Sequence, residues 1–239
     1  INIICNGLDL DQGDEVITSA HEHPALGIPL LNLKQRRGIE VKIFEPDMNE
    51  TAGNVGRIEN LITPKTKLIF ISHITCTTGQ RFPVKEIGRL AADRNILFAL
   101  DGAQAAGTMD MEVVKENVGY YTFSGHKWLL GPKRTGVLWL RPDLMDRVRP
   151  LTVGAYSDGG YDFKEQQLSL NPTAQRYEYA TQNESLFRGM EKGIEIINTI
   201  GLKRVHEHNR KLAELFYRGV SDMKRLNILS HREPESRSS

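Results

Sequence analysis

Short runs rich in β-branched and aromatic residues alternate along the chain with stretches whose apolar positions recur at helical spacing. Residues 15–19, 40–44, 67–74, 96–100, 119–123 and 136–140 read as strands. Helices are predicted over 54–62, capped by Asn54, over 84–94, where Ile87, Leu90 and Ala91 share a face after Pro83, and over the short segment 111–116. Strand, helix, strand in repetition predicts an α/β three-layer sandwich, its mostly parallel sheet covered on both faces. From Glu184 the pattern changes to two long helices, 184–200 and 202–223, punctuated by Gly201. Residues 152–175, with Gly154, Gly159, Gly160 and Pro172 and few aliphatic side chains, read as an exposed loop.

Charge and cysteine content narrow the range of functions. The 239 residues carry a net charge of +1, so no broad electrostatic field favours nucleic acid or an anionic membrane. The most apolar stretch, 67–74, is far shorter than the roughly 20 residues that span a bilayer, and a cytoplasmic protein is expected. Cys5 and Cys76 provide neither a disulfide framework nor paired spacing for zinc. The chain opens on Ile1, in what reads as the last turns of a helix, and closes on polar residues 233–239, so a piece of a longer protein is expected.

Four inferred strand ends carry polar residues of catalytic type. His21, Glu22 and His23 follow the first strand, and Ser72, His73, Thr75 and Cys76 stand at the third. Asp101 and Gln104 follow the fourth, and Ser124, His126 and Lys127 the fifth. In parallel sheets the ligand crevice lies outside the carboxyl ends of the strands, so the convergence points to one site. Taken alone, Asp101 pairs with a cation or protonated ring nitrogen, or else caps the next short helix. Lys127 is either an imine-forming amine or a surface lysine on a turn. Residues 131–136 lack the Lys-Ser/Thr of a phosphate loop, and no strand is followed by GxGxxG. His21 with His23, and His206 with His208, lack the i, i+4 spacing and third ligand of a metal site.

In order along the chain, Glu22-His23-Pro24-Ala25, Ser72 to Gly79, Asp101 to Gly107, Ser124-Gly125-His126-Lys127-Trp128 and Arg176 to Asn183 resemble the class V aminotransferase and cysteine desulfurase family. These are fold-type I enzymes of pyridoxal 5'-phosphate, and the Glu-His-Pro-Ala and Cys-Thr-Thr-Gly segments look like the isopenicillin N epimerase-like branch. The resemblance implies that Lys127 holds the cofactor as an imine and then moves the Cα proton. It also implies that Asp101 faces the pyridine nitrogen and keeps it protonated, and that Gln104 bonds the ring's phenolic oxygen. His23 would stack on the ring and shuttle protons, Ser124 and His126 would bind the phosphate, and Thr181 would reach the phosphate of a neighbouring subunit in a homodimer. Residues 1–197 would form the cofactor-binding large domain, with 198–239 the interdomain helix and the start of an incomplete small domain.

The function so implied is chemistry at the Cα of an amino acid, amino transfer or epimerisation first and cysteine desulfuration second. Desulfurases commonly have Asn where this chain has Cys76, and their sulfur-accepting cysteine belongs to a later loop. The rival from another class is a non-catalytic α/β binding or scaffold protein whose polar strand ends are structural.

Overall fold

The computed structural model describes residues 1–238; Ser239, the end of the expected small-domain segment, lies outside the described residues. Strands β1 (Glu15–Ser19), β2 (Glu40–Phe44), β3 (Thr66–Ser72), β4 (Leu97–Asp101), β5 (Tyr120–Ser124) and β6 (Gly136–Leu140) form one sheet in the order β2-β1-β3-β4-β5-β6. The first five run parallel and β6 pairs antiparallel with β5, which is the mostly parallel sheet expected.

Successive strand residues supply opposite faces, which is why the central strands carry apolar side chains at consecutive positions. Val16, Leu68, Phe70, Ala99 and Tyr120 pack with helices α1 (Asn2–Gly7) and α2 (Pro24–Arg37). Ile17, Ile69, Ile71, Phe98 and Tyr121 pack on the other face with α3 (Gly53–Glu59) and α4 (Val84–Asp93). Complete burial of one such side chain, Ile87 of α4, contributes about 1.5–3 kcal/mol. Two longer helices, α5 (Glu184–Ile200) and α6 (Leu202–Ser221), follow, broken at Gly201 with φ +93°.

The structure corrects several expectations. Asn54 is not a helix cap: Ala52 precedes α3, and buried Asn54 instead closes the loop before it, accepting the Asp47 N–H at 2.7 Å and donating to the Thr51 carbonyl at 3.1 Å. Residues 111–116 form no helix. The chain makes one turn, reverses at Asn117 with φ +55°, and drops Val118 into the core ahead of β5. Strand β3 stops at Ser72, because Ile74 already pairs with Arg81 across a tight turn. The exposed loop at 152–175 contains a hairpin, β7 (Asp158–Asp162) with β8 (Gln167–Leu170). Helix α2 forms despite Pro24, Gly27 and Pro29, since His23 caps its start, Pro24 occupies the first turn and Gly38, with φ +70°, ends it.

Candidate active site

The carboxyl edge of the sheet brings five predicted residues to one cavity of about 610 Å³: His23, Asp101, Ser124, His126 and Lys127. That volume lies within the roughly 300–1,000 Å³ of small-molecule sites. Asp101 is the last residue of β4, paired with Ser72 on β3 and Thr122 on β5. It is only 6% exposed, and its Oδ1 accepts the Ala103 N–H at 2.9 Å. Gly102 is required next to it, because a Cβ there would fall 2.0 Å from the Tyr121 hydroxyl.

Ser124 ends β5 and the chain turns sharply into His126 and Lys127. Two neighbouring segments pin that turn: Gly125 N–H donates to the Thr135 carbonyl at 2.9 Å and Gly131 N–H to the Gly125 carbonyl at 2.8 Å. A Cβ at Gly125 would lie 2.3 Å from Thr135 Oγ1 and 2.5 Å from Met190 Sδ, so the turn is locked by close packing. Among the described residues neither Lys127 nor Asp101 takes part in an ion pair. A carboxylate and an amine without ion-pair partners, together with two imidazoles, therefore line a ligand-sized space.

Other strand-end residues lie elsewhere. His73 is buried beside Tyr121, its Nδ1 3.3 Å from the phenol oxygen, and burial assisted by the Arg81 charge lowers its pKa to about 3. It is a neutral core group. Thr75 bonds Thr78, Cys76 is exposed, and neither lines the cavity. Gln104 lies just outside, its Oε1 accepting from the Trp128 indole N–H at 2.9 Å. Thr181 is exposed and also outside, two residues before Asn183, which caps α5. His206 stands with Nδ1 3.2 Å from the Thr108 carbonyl. Ala25 and Ala103 of the quoted segments also line the cavity, as does Thr122, which sequence reasoning passed over. Thr122 was within reach of it, being two residues before Ser124 on the same strand.

Fold and site together place the protein among the transferase-like α/β domains built on a mostly parallel sheet with the site at its carboxyl edge. The chain belongs to the Aminotransferase class-V family, whose model matches residues 1–239. A probable cysteine desulfurase of Methanothermobacter thermautotrophicus is 33% identical over 93% of this chain and 55% of its own length. The apo structure of a cysteine desulfurase from Thermococcus onnurineus NA1 superposes with a TM-score of 0.88 at 26% identity, over 99% of this chain and 58% of that one. The cystine C-S lyase C-DES, solved with its reaction product cysteine persulfide, gives a TM-score of 0.83 at 27% identity, over 93% and 60%. Another C-DES structure holds glycine covalently linked to the PLP cofactor. The chain thus spans little more than half the length of the relatives it matches. Among the described residues no helix is long and apolar enough to cross a membrane.

Proposed function

We propose that this chain carries the cofactor site of a pyridoxal 5'-phosphate enzyme acting on the α-carbon of an amino acid. The observation that carries the reading is the single cavity in which Lys127, Asp101, His23, Ser124 and His126 meet. The donor set fits the group: an amine to hold it covalently, a fixed carboxylate for the pyridine nitrogen, an imidazole for the ring face, and a hydroxyl with a second imidazole for the phosphate. When bound, the cofactor supplies an electron sink that acidifies the α-carbon. The remaining work belongs to the chain. Asp101, its carboxyl oriented by the Ala103 N–H, would meet the pyridine nitrogen from the wall of the same cavity that Lys127 lines. Lys127 would hold the cofactor through Nζ and, as a free amine at the same wall of the cavity, would accept and deliver the α-proton at Nζ.

The named relatives favour cysteine desulfuration over the amino transfer or epimerisation that the motifs suggested first. Cys76, standing where desulfurases commonly have Asn, is the feature that keeps the second reading in play. The reading includes a homodimer. Thr181 is exposed outside its own cavity, and Tyr161, Phe163 and Leu168 of the β7–β8 hairpin are 72%, 89% and 59% exposed. Sedimentation of the full-length protein checks this, a monomer counting against it.

The deciding experiment adds cofactor and L-cysteine, quantifies alanine and persulfide, and runs amino transfer to a keto acid in parallel. Lys127→Ala is expected to abolish the visible imine absorbance seen with cofactor alone, before L-cysteine is added, and all product after it. A Lys127→Ala protein that keeps both overturns the assignment.

A further inference from the structure

One partly buried acid on the carboxyl edge has no role in the chemistry above. Glu22, in the turn after β1, reaches across to the end of β3. Its Oε1 accepts from Ser19 Oγ at 2.5 Å, and its Oε2 accepts from Ser72 Oγ at 2.6 Å and from the Ser72 N–H at 2.9 Å. The same N–H is 3.1 Å from Oε1. β1 lies between β2 and β3, so the strand order reverses there, the place where parallel sheets commonly leave a crevice between the carboxyl ends of neighbouring strands. Glu22 bridges the two strand ends there. Ser72 is also the register partner of Asp101, so the staple bears on the strand that carries the aspartate.

The residue after Glu22 is His23, whose Nδ1 accepts the Ala25 N–H at 3.0 Å and so caps α2. A ring nitrogen that accepts a hydrogen bond cannot hold the proton, so the capped ring carries it on Nε2. Protonating Nδ1 would break the cap. Burial pushes the Glu22 carboxyl above the ordinary range, against the bonds from Ser19 and Ser72 and with the Asp101 charge adding to the rise.

We propose that Glu22 is a positioning residue: by stapling the β1–α2 turn to β3 it holds His23 at the cavity wall in its Nε2–H form, as a ring that stacks and donates and not one that carries protons. The inference rests on the proposed function only for the ligand.

Nitrogen-15 spectra of histidine-labelled full-length chain, without added cofactor and with His23 assigned through His23→Asn, provide the test. Wild type should show an unprotonated Nδ1 and a protonated Nε2. Glu22→Ala should mix the tautomers and weaken pyridoxal phosphate binding at least about tenfold. Glu22→Gln, whose amide oxygen still accepts from the Ser72 N–H while the hydroxyls reorient, should restore both. Wild type with Nδ1 protonated, or Glu22→Ala with an unchanged tautomer and affinity, overturns the proposal. Where Glu22→Ala fails to fold, Glu22→Asp, one methylene shorter and pulled back from the Ser72 N–H and hydroxyl, replaces it; a folded Glu22→Asp protein unchanged in both readouts overturns it equally. A merely structural glutamate would lower the melting temperature and leave the tautomer alone. The tautomer needs no cofactor, so failure of wild type to bind pyridoxal phosphate would sink the functional reading separately.

Discussion

The two ends of β1 carry a glutamate each, and they are treated in opposite ways. At the amino end Glu15 accepts from Thr63 Oγ1 at 2.6 Å and Thr66 Oγ1 at 2.9 Å, and pairs with Lys42 of β2 at 2.9 Å. Burial raises its pKa, but those hydrogen bonds and the Lys42 charge outweigh burial and leave it below the ordinary carboxylate range. At the carboxyl end Glu22 has hydroxyl and amide donors but no cation among the described residues, and Asp101 as an acidic neighbour. Charge at the amino edge is paired with a cation within the sheet; at the carboxyl edge neither Glu22 nor Asp101 has a cation partner among the described residues. The same fold thus separates an edge that holds the sheet together from an edge that offers charge to a ligand.

The largest effect that could break this contrast comes from Asp101→Asn. Asparagine still accepts the Ala103 N–H, so the turn and the melting temperature should stay near wild type, while turnover falls by roughly 10²–10³-fold. Glu15→Gln should do the reverse. It leaves Lys42 short of its partner and costs about 1–3 kcal/mol of stability, seen in urea melts, with unchanged turnover per folded molecule. Near-wild-type turnover in Asp101→Asn would erase the distinction between the edges.

A smaller, sign-specific effect follows from pH. Glu15, with its pKa lowered by folding, contributes stability that is present above the ordinary carboxylate range and lost as pH falls through its folded value. Glu22, with its pKa raised, contributes stability that is present below that range and lost as pH rises through its folded value. Between about pH 3 and pH 7 the stability of wild type relative to Glu15→Gln should therefore grow, and relative to Glu22→Gln shrink. Thermal melts of the three proteins across that range check it; slopes of the same sign would contradict the contrast.

Much of this is legible in the sequence itself. The strands are legible because β-branched and aromatic residues (Val16, Ile17 and Thr18; Val41, Ile43 and Phe44; Val137 and Trp139) concentrate in five-residue runs with little competition from helix formers. The cavity residues were found because four strand ends carried reactive side chains and a parallel sheet collects such ends on one edge. Three things were hidden. Helix α2 was masked by Pro24, Gly27 and Pro29, and only the His23 cap and Gly38 make it explicable. His73 sits in a reactive-looking stretch, yet a turn back towards Arg81 sends it into the core against Tyr121. The link from Glu22 to Ser72 spans 50 residues, and no local pattern reports a side chain bridging two non-consecutive strands.

The smallest effect concerns Gln104, at the outer limit of the carboxyl edge. The Trp128 indole N–H occupies its Oε1, which fixes which way the amide points and leaves its NH₂ as the group free to donate. Trp128 is 42% exposed, so replacing it with Phe strands no buried donor and should barely change stability. What Trp128→Phe removes is the orientation. Gln104 is then free to flip, and the loss of a preset hydrogen bond worth about 0.5–1 kcal/mol should weaken pyridoxal phosphate binding about two- to fivefold in a titration. An unchanged affinity would mean that Gln104 is held by Trp128 for packing alone, and the ligand-facing edge would then end at Asp101 and Lys127.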